Sequence, residues 1–280
     1  MDEPEYFARS KDGTGLVVRQ AGDGHPIVVV HGGMGAAFHW DAVTTLLPSY
    51  RILGFERRVY GRSGPPQSPH SMAREAEDIA AVLAQIGEPA IVVGHSSGAV
   101  ATLEAALLKP ANLAGMVLYE PPVQTGTPLG GEFQAAAEAA LAAGDSEKAL
   151  YIFFHDIVGL SDALIDRMRS PQWRGGWEFM QTVMPAQMED NRAIRALPFG
   201  LERYAALDLP ALLLRGTASP QHLQDRLADL AAILPHSTTV DLPGEGHNAN
   251  MSSPQLVADA IEAFARPVFA PVMASAARRA

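Results

Sequence analysis

Ser96 lies in Val92-Val93-Gly94-His95-Ser96-Ser97-Gly98, a serine flanked two residues away by glycines, with an apolar β-branched run before it and a helical pattern after it. A serine at a sharp strand-to-helix turn is held in a strained conformation with its hydroxyl exposed. Side chains at positions 94 and 98 would collide across such a turn, which accounts for both glycines. This is the setting of a nucleophile. A serine hydroxyl is weakly nucleophilic near neutral pH and needs a base folded beside it. Of the nine histidines, His247 fits that role best, in the glycine-rich loop Pro243-Gly244-Glu245-Gly246-His247-Asn248-Ala249 after the run Thr238 to Leu242. Loops at the carboxyl ends of parallel strands line ligand crevices. Attack on a carbonyl also calls for two fixed backbone N–H groups to hold the oxyanion. Ser97 offers one, at the N-terminus of the helix after the nucleophile, where the helix dipole helps. Gly33 or Met34, in the loop His31-Gly32-Gly33-Met34-Gly35, offers the other, because glycines let backbone approach a substrate closely. His31 itself is expected to be a structural hydrogen-bonding residue.

These residues must be positioned by alternating strands and helices. Short β-branched runs recur at Gly15 to Gln20, Pro26 to Val30, Arg51 to Phe55, Ala90 to Val93, Gly115 to Tyr119, Ala211 to Leu214 and Thr238 to Leu242. Several are apolar on both faces, as strands between two helix layers must be. Between them, apolar residues at three- and four-residue spacing predict helices over Ala36 to Leu47, Ser71 to Ile86, Ser97 to Lys109, Pro220 to Leu234 and Pro254 to Phe264. Strand then helix, repeated, argues for a parallel sheet covered on both faces. From Pro121 to about Ala206 no strand is expected, only helical patterns punctuated by Gly144, Gly159, Pro171 and Pro185.

With these three motifs in this order, the chain resembles the α/β-hydrolase superfamily from about Tyr6 to Phe264. The segment Phe55-Glu56-Arg57-Arg58-Val59-Tyr60-Gly61-Arg62-Ser63 is similar to the family's Asp-x-Arg-Gly-x-Gly-x-Ser loop, with Glu56 in place of Asp and Val59 in place of Gly. The resemblance implies an α/β fold with a mostly parallel eight-stranded sheet and an all-helical cap inserted after the sixth strand. The domain limits it implies are a core of residues 1–120 and 207–265 and a cap of residues 121–206, while the two prolines, small residues and little periodicity of residues 266–280 predict a loosely held tail. The family usually places the triad acid a few residues after the seventh strand, yet Leu212-Leu213-Leu214-Arg215-Gly216-Thr217-Ala218-Ser219-Pro220 holds no carboxylate. Glu120 is the preferred substitute. It ends the sixth strand before Pro121 and Pro122, the place of the triad Glu in similar family members, the haloalkane dehalogenases among them. Asp225, Glu245 and a Ser–His pair without an acid are the alternatives.

Composition narrows the rest. Of 280 residues, 48% are hydrophobic and 19% charged, which excludes a disordered chain. A net charge of −10 without any basic run makes nucleic acid a poor partner. With no cysteine, thiolate chemistry and disulfides are excluded. The acidic start Met1-Asp2-Glu3-Pro4-Glu5 and the lack of a long apolar stretch predict a cytoplasmic protein that does not insert in membranes. Neither a His-rich metal motif nor a glycine-rich phosphate loop is present, so no cofactor or metal is implied. Trp40, Trp173 and Trp177 could line a substrate pocket beneath the cap, a core role being the alternative. The function expected is cofactor-independent hydrolysis of a small, largely apolar carboxylic ester, thioester or lactone through Ser96, with a small molecule as the substrate partner. Same-fold lyase, transferase or cofactor-free oxygenase chemistry, or ligand binding with little turnover, are the alternatives.

Overall fold

Alternate residues of the central strands face opposite ways, and both sets are apolar. Val28, Val30 and Val92 enter one buried cluster, whereas Ile27, Val29, Ile91 and Val93 enter another. A sheet with two such faces must be covered on both. The computed structural model of the protein describes residues 7–277, with side chains through residue 270. Its eight strands are β1 (Ala8–Arg9), β2 (Gly15–Ala21), β3 (His25–Val30), β4 (Tyr50–Glu56), β5 (Ala90–His95), β6 (Leu113–Tyr119), β7 (Ala211–Gly216) and β8 (Ser237–Leu242). They form one sheet in the order β1-β2-β4-β3-β5-β6-β7-β8. The β1–β2 and β2–β4 pairs are antiparallel and all others parallel. The two-residue β1 escapes sequence reading because so short a run carries no period.

Helices α1 (Asp41–Thr44), α2 (Met72–Ile86) and α3 (Ser97–Leu107) follow β3, β4 and β5, and α8 (Gln221–Ile233) follows β7. After β8 come α9 (Ala249–Ser252) and α10 (Pro254–Ala277). Residues of α2, α3 and α8 pack on one face of the sheet; those of α1, α9 and α10 pack on the other. Ser71 caps α2 by accepting from the Arg74 amide, and Gly87 closes it in the left-handed conformation.

Between β6 and β7 lie α4 (Phe133–Ala142), α5 (Ser146–Ile152), α6 (Asp162–Arg169) and α7 (Arg174–Arg195), and no strand. They bury their own apolar cluster, which includes Ala137, Leu150, Ile165 and Met184 and reaches the core through Met34. Two expectations are corrected. Pro185 does not interrupt the pattern: α7 runs through it, because the buried stripe Trp177, Met184, Met188 continues on either side. Nor does a loose tail begin at residue 266. The apolar spacing of α10 carries on past Pro267 to Phe269, which is buried and stacks on His25 with ring centroids 4.6 Å apart. Residues 1–6 and 278–280, with the acidic start and the last residues of the expected tail, lie outside the described residues. No helix among those described is long and apolar enough to cross a membrane.

Candidate active site

The sheet's carboxyl edge collects the residues that sequence reading singled out. Ser96 follows β5 at φ 52° and ψ −124°, in a region that L-residues rarely occupy. Both glycines of its motif are forced. A Cβ on Gly94 would stand 2.6 Å from Ala99 Cα, and one on Gly98 would stand 2.4 Å from the His31 carbonyl oxygen. Four non-glycine residues among those described have positive φ, and three are Met34, Ser96 and Glu120. Strain is thus concentrated at this edge, as it is at functional sites.

Glu120, fully buried just beyond β6, accepts three hydrogen bonds. His247 Nδ1 lies 2.6 Å from its Oε2, Ser219 Oγ donates to Oε2 at 2.9 Å, and the Gly216 amide donates to Oε1 at 2.7 Å. The end of β7 and the loop after it, which lack a carboxylate, instead supply two donors that hold this one. The other carboxylates point elsewhere. Asp225 accepts from Gln221 within α8, and Glu245 accepts from the hydroxyls of Ser252 and Ser253.

The loop carrying His247 is pinned from the core. His95 Nε2 donates to the His247 carbonyl oxygen at 2.8 Å. The Tyr119 hydroxyl donates to Gly246 and accepts from the Ala249 amide. Burial, reinforced by the neighbouring His247, depresses the His95 pKa well below its usual value, so His95 is the neutral donor this bond requires. His31 is likewise neutral. Burial and the Arg57 charge lower its pKa to about 3; its Nδ1 lies 2.8 Å from the Gly32 oxygen, and its Nε2 accepts from the Arg57 amide at 3.3 Å. Those two contacts fix the Nδ1–H tautomer and brace the loop of Gly32, Gly33 and Met34. A Cβ on Gly32 would lie 3.0 Å from that of Ser96, so this loop abuts the proposed nucleophile.

Ser97 belongs to a buried network that sequence reading missed. Its hydroxyl donates to Asp190 Oδ2 at 2.7 Å and accepts from Arg57 Nη1 at 2.9 Å. Arg57 binds Asp190 with both terminal nitrogens at 2.9 Å and Glu75 through Nε at 3.1 Å. Tyr60 and His70 donate to the same Asp190 at 2.8 and 2.9 Å. Burial opposes charge on His70, but the hydrogen bond to Asp190 and the nearby Glu75 outweigh it and raise its pKa. Arg57 thus faces the carboxylates of Asp190 and Glu75, with His70 beside them. The ligand atoms of His70, Glu75 and Asp190 lie within 4.8 Å of one another, close enough for a metal, but the Arg57 guanidinium already pairs with both carboxylates. Asp190 comes from α7, so the network ties the helical layer to the residue after Ser96. The polar face Gln187, Asp190, Asn191 on an otherwise amphipathic helix was the signal available for it.

Ser96, Ser97 and His247 open on one cleft. Pro122, Leu129, Phe153, Ile157, Ile194 and Leu223 form its apolar walls, and Gln187, Asn191 and His222 add polar groups. The three tryptophans expected at a pocket are not among its walls. Trp40 is buried in the core cluster beneath the sheet, with its ring against His95. Trp177 is buried in the core of the helical layer and donates to Glu147. Trp173 is 62% exposed. Each follows the commoner fate of an aromatic near a helix, core or surface.

A mostly parallel eight-stranded sheet, a strained serine at the end of its central strand and a histidine–carboxylate pair on the same edge define an α/β hydrolase. The sequence profile of the alpha/beta hydrolase family matches residues 27–260, and the chain belongs to that family. It is 28% identical over 280 residues to the non-heme chloroperoxidase of Streptomyces lividans, covering 92% of this chain and 98% of that protein. It is 37% identical over 95 residues to the non-heme haloperoxidase of Rhodococcus erythropolis, a match spanning 33% of this chain and 35% of the relative. Among solved structures, an alpha/beta hydrolase from Sphaerobacter thermophilus DSM 20745 matches with a TM-score of 0.75 at 27% identity, over 90% of this chain and 98% of that one.

Proposed function

We propose that this hydrolase cleaves a carboxylic ester, thioester or lactone of modest size through an acyl-enzyme on Ser96. The observation that carries the reading is the 2.6 Å contact of His247 Nδ1 with the buried Glu120, in a histidine that shares its cleft with Ser96. An acceptor on Nδ1 sets the tautomer that leaves Nε2 free to take a proton. His247 removes the Ser96 proton as the hydroxyl oxygen attacks the carbonyl carbon. The amides of Ser97 and of Gly33 or Met34 hold the oxyanion, and the proton passes from His247 to the leaving alcohol or thiol. Water, deprotonated by the same histidine, then releases the acid and restores Ser96. The apolar walls favour an acyl or alcohol part with some hydrocarbon, and the substrate is the small-molecule partner.

The similarity to a chloroperoxidase over nearly the whole chain makes hydrogen peroxide a second acyl acceptor to assay. Attack by HOOH in place of water would release a peroxy acid and restore the same serine. Turnover of short p-nitrophenyl esters tests the main reading. Wild type is expected to exceed a Ser96→Ala control by several orders of magnitude, and equal rates would favour a ligand-binding protein with little turnover.

A further inference from the structure

A chain of side-chain amides crosses the helical layer and ends on an oxygen that no group among the described residues donates to. Gln134 Nε2 on α4 donates to the Glu138 carboxylate at 2.8 Å, a group that when ionised can only accept. Gln134 Oε1 is therefore free to accept from Asn191 Nδ2, at 2.9 Å. Asn191 Oδ1 accepts in turn from Gln187 Nε2, also at 2.9 Å. Each amide sets the orientation of the next, so Gln187 must present its Oε1 at the far end. That oxygen is buried without a donor, on a side chain only 3% exposed. It lies 1.9 Å from where a Cβ on Gly33 would stand, against the loop read as supplying an oxyanion amide, and Gln187 lines the cleft with Ser96 and His247.

A buried carbonyl with no donor is costly unless something else supplies the hydrogen bond. We infer that Gln187 is a specificity-determining residue, and that the preferred substrate carries a hydroxyl or amide N–H donor close to the scissile carbonyl. The inference rests on the reading of the protein as an ester hydrolase and sharpens its substrate class. A fixed acceptor rejects an analogue whose methyl group replaces the donor, because the methyl leaves the acceptor buried and unmatched. It also explains why the relay starts from a carboxylate: an ionised Glu138 excludes the flipped orientation, which would turn the Gln187 Nε2 toward Gly33 and select an acceptor instead.

Two matched pairs of alkyl esters, followed by pH-stat titration, test this and tell an acyl-side donor from an alcohol-side one. Ethyl 2-hydroxypropanoate is compared with ethyl 2-methylpropanoate, and 2-hydroxyethyl butanoate with propyl butanoate. After division by the ratio for alkaline hydrolysis, one donor ester should be preferred by about 10- to 100-fold in kcat/KM. The preference should fall to within about threefold of the chemical ratio in Gln187→Met, which keeps the volume and removes the acceptor. Chemical ratios for both pairs in wild type, or a preference that survives Gln187→Met, would overturn the inference while leaving the ester hydrolase intact. If wild type hydrolyses no ester faster than Ser96→Ala, the underlying reading fails instead. Calorimetric dissociation constants of the four esters for Ser96→Ala then decide the Gln187 question alone, with tighter binding of a donor ester expected and equal binding contradicting it.

Discussion

Glu120 and His247 meet at 2.6 Å although 127 residues separate them in the chain, including the whole helical layer. The contact depends on β6, β7 and β8 lying side by side in register, so that the residue after β6 can reach the loop after β8. Between them, Gly216 and Ser219 occupy Glu120 from the β7 side and leave the second acceptor site of Oε2 for the imidazole. A carboxylate held by two fixed donors has little freedom to turn away.

Glu120→Gln is therefore expected to lower kcat on the order of 10⁴-fold, the loss seen when the acid of a serine protease triad is made an amide. Asp225→Asn and Glu245→Gln, whose carboxylates are engaged elsewhere, should change kcat by less than about tenfold. Steady-state kinetics on one ester, with circular dichroism to confirm the fold, checks all three. A near wild-type Glu120→Gln would move the acid to another residue.

Removing Asp190 leaves Arg57 buried with only Glu75 as an anionic partner, and takes the acceptor from Ser97, Tyr60 and His70. Breaking a buried pair in this way costs about 3–5 kcal/mol. Asp190→Ala should lose that much in urea unfolding, against a smaller loss for Asp190→Asn, which keeps the shape and some of the hydrogen bonds. Unchanged unfolding midpoints for both would mean that the network contributes nothing to stability.

His31 is neutral when folded, with a pKa of about 3, and takes up a proton when unfolded, near pH 6.5. Between those values the unfolded state binds more protons, so the contribution of His31 to stability rises with pH and is lost as pH falls below about 6.5. The stability difference between wild type and His31→Gln should shrink by ~1.4 kcal/mol for each pH unit from 6 to 4. Urea melts of both proteins at pH 7, 6, 5 and 4 measure it, and a difference that holds constant or widens on acidification would show that the ring is charged when folded.

The tryptophans and the cleft walls should separate cleanly. Trp177→Ala, which empties part of the helical-layer core, should cost about 3–5 kcal/mol. Trp173→Ala, on the surface, should stay within about 0.5 kcal/mol. Ile157→Ala enlarges the cleft wall and should shift the ester preference toward longer acyl chains, read as relative kcat/KM from acetate to octanoate. An unchanged chain-length profile would place the acyl group elsewhere.

What could be read in the sequence was local. Gly94 announces the strained turn because its collisions are with Gly98, Ala99 and Thr102 of the same turn, whereas Gly98 is forced by the end of β3. Glu120 comes from the resemblance, since the β7 loop has no carboxylate and similar family members carry a triad Glu after the sixth strand, with Asp225 and Glu245 as alternatives. The pairing of Arg57 with Asp190 spans 133 residues and obeys no period, so charge spacing could not reveal it. The tryptophans misled for a related reason: helical spacing says that a side chain faces inward, but not whether it meets a cleft or a core. Pro185 misled as a break because burial on both sides of it, at Met184 and Met188, outweighs the local cost.

The central claim is that Ser96 is a nucleophile activated by His247. A fluorophosphonate probe, followed by digestion and mass mapping, tests it most directly, because phosphonylation requires the same activated oxygen as acylation. Wild type should carry one adduct, on the peptide containing Ser96, while Ser96→Ala should carry none and His247→Ala should label more slowly by several orders of magnitude. An adduct mapping to another residue, labelling that persists in Ser96→Ala, or undiminished labelling without His247 would contradict the account.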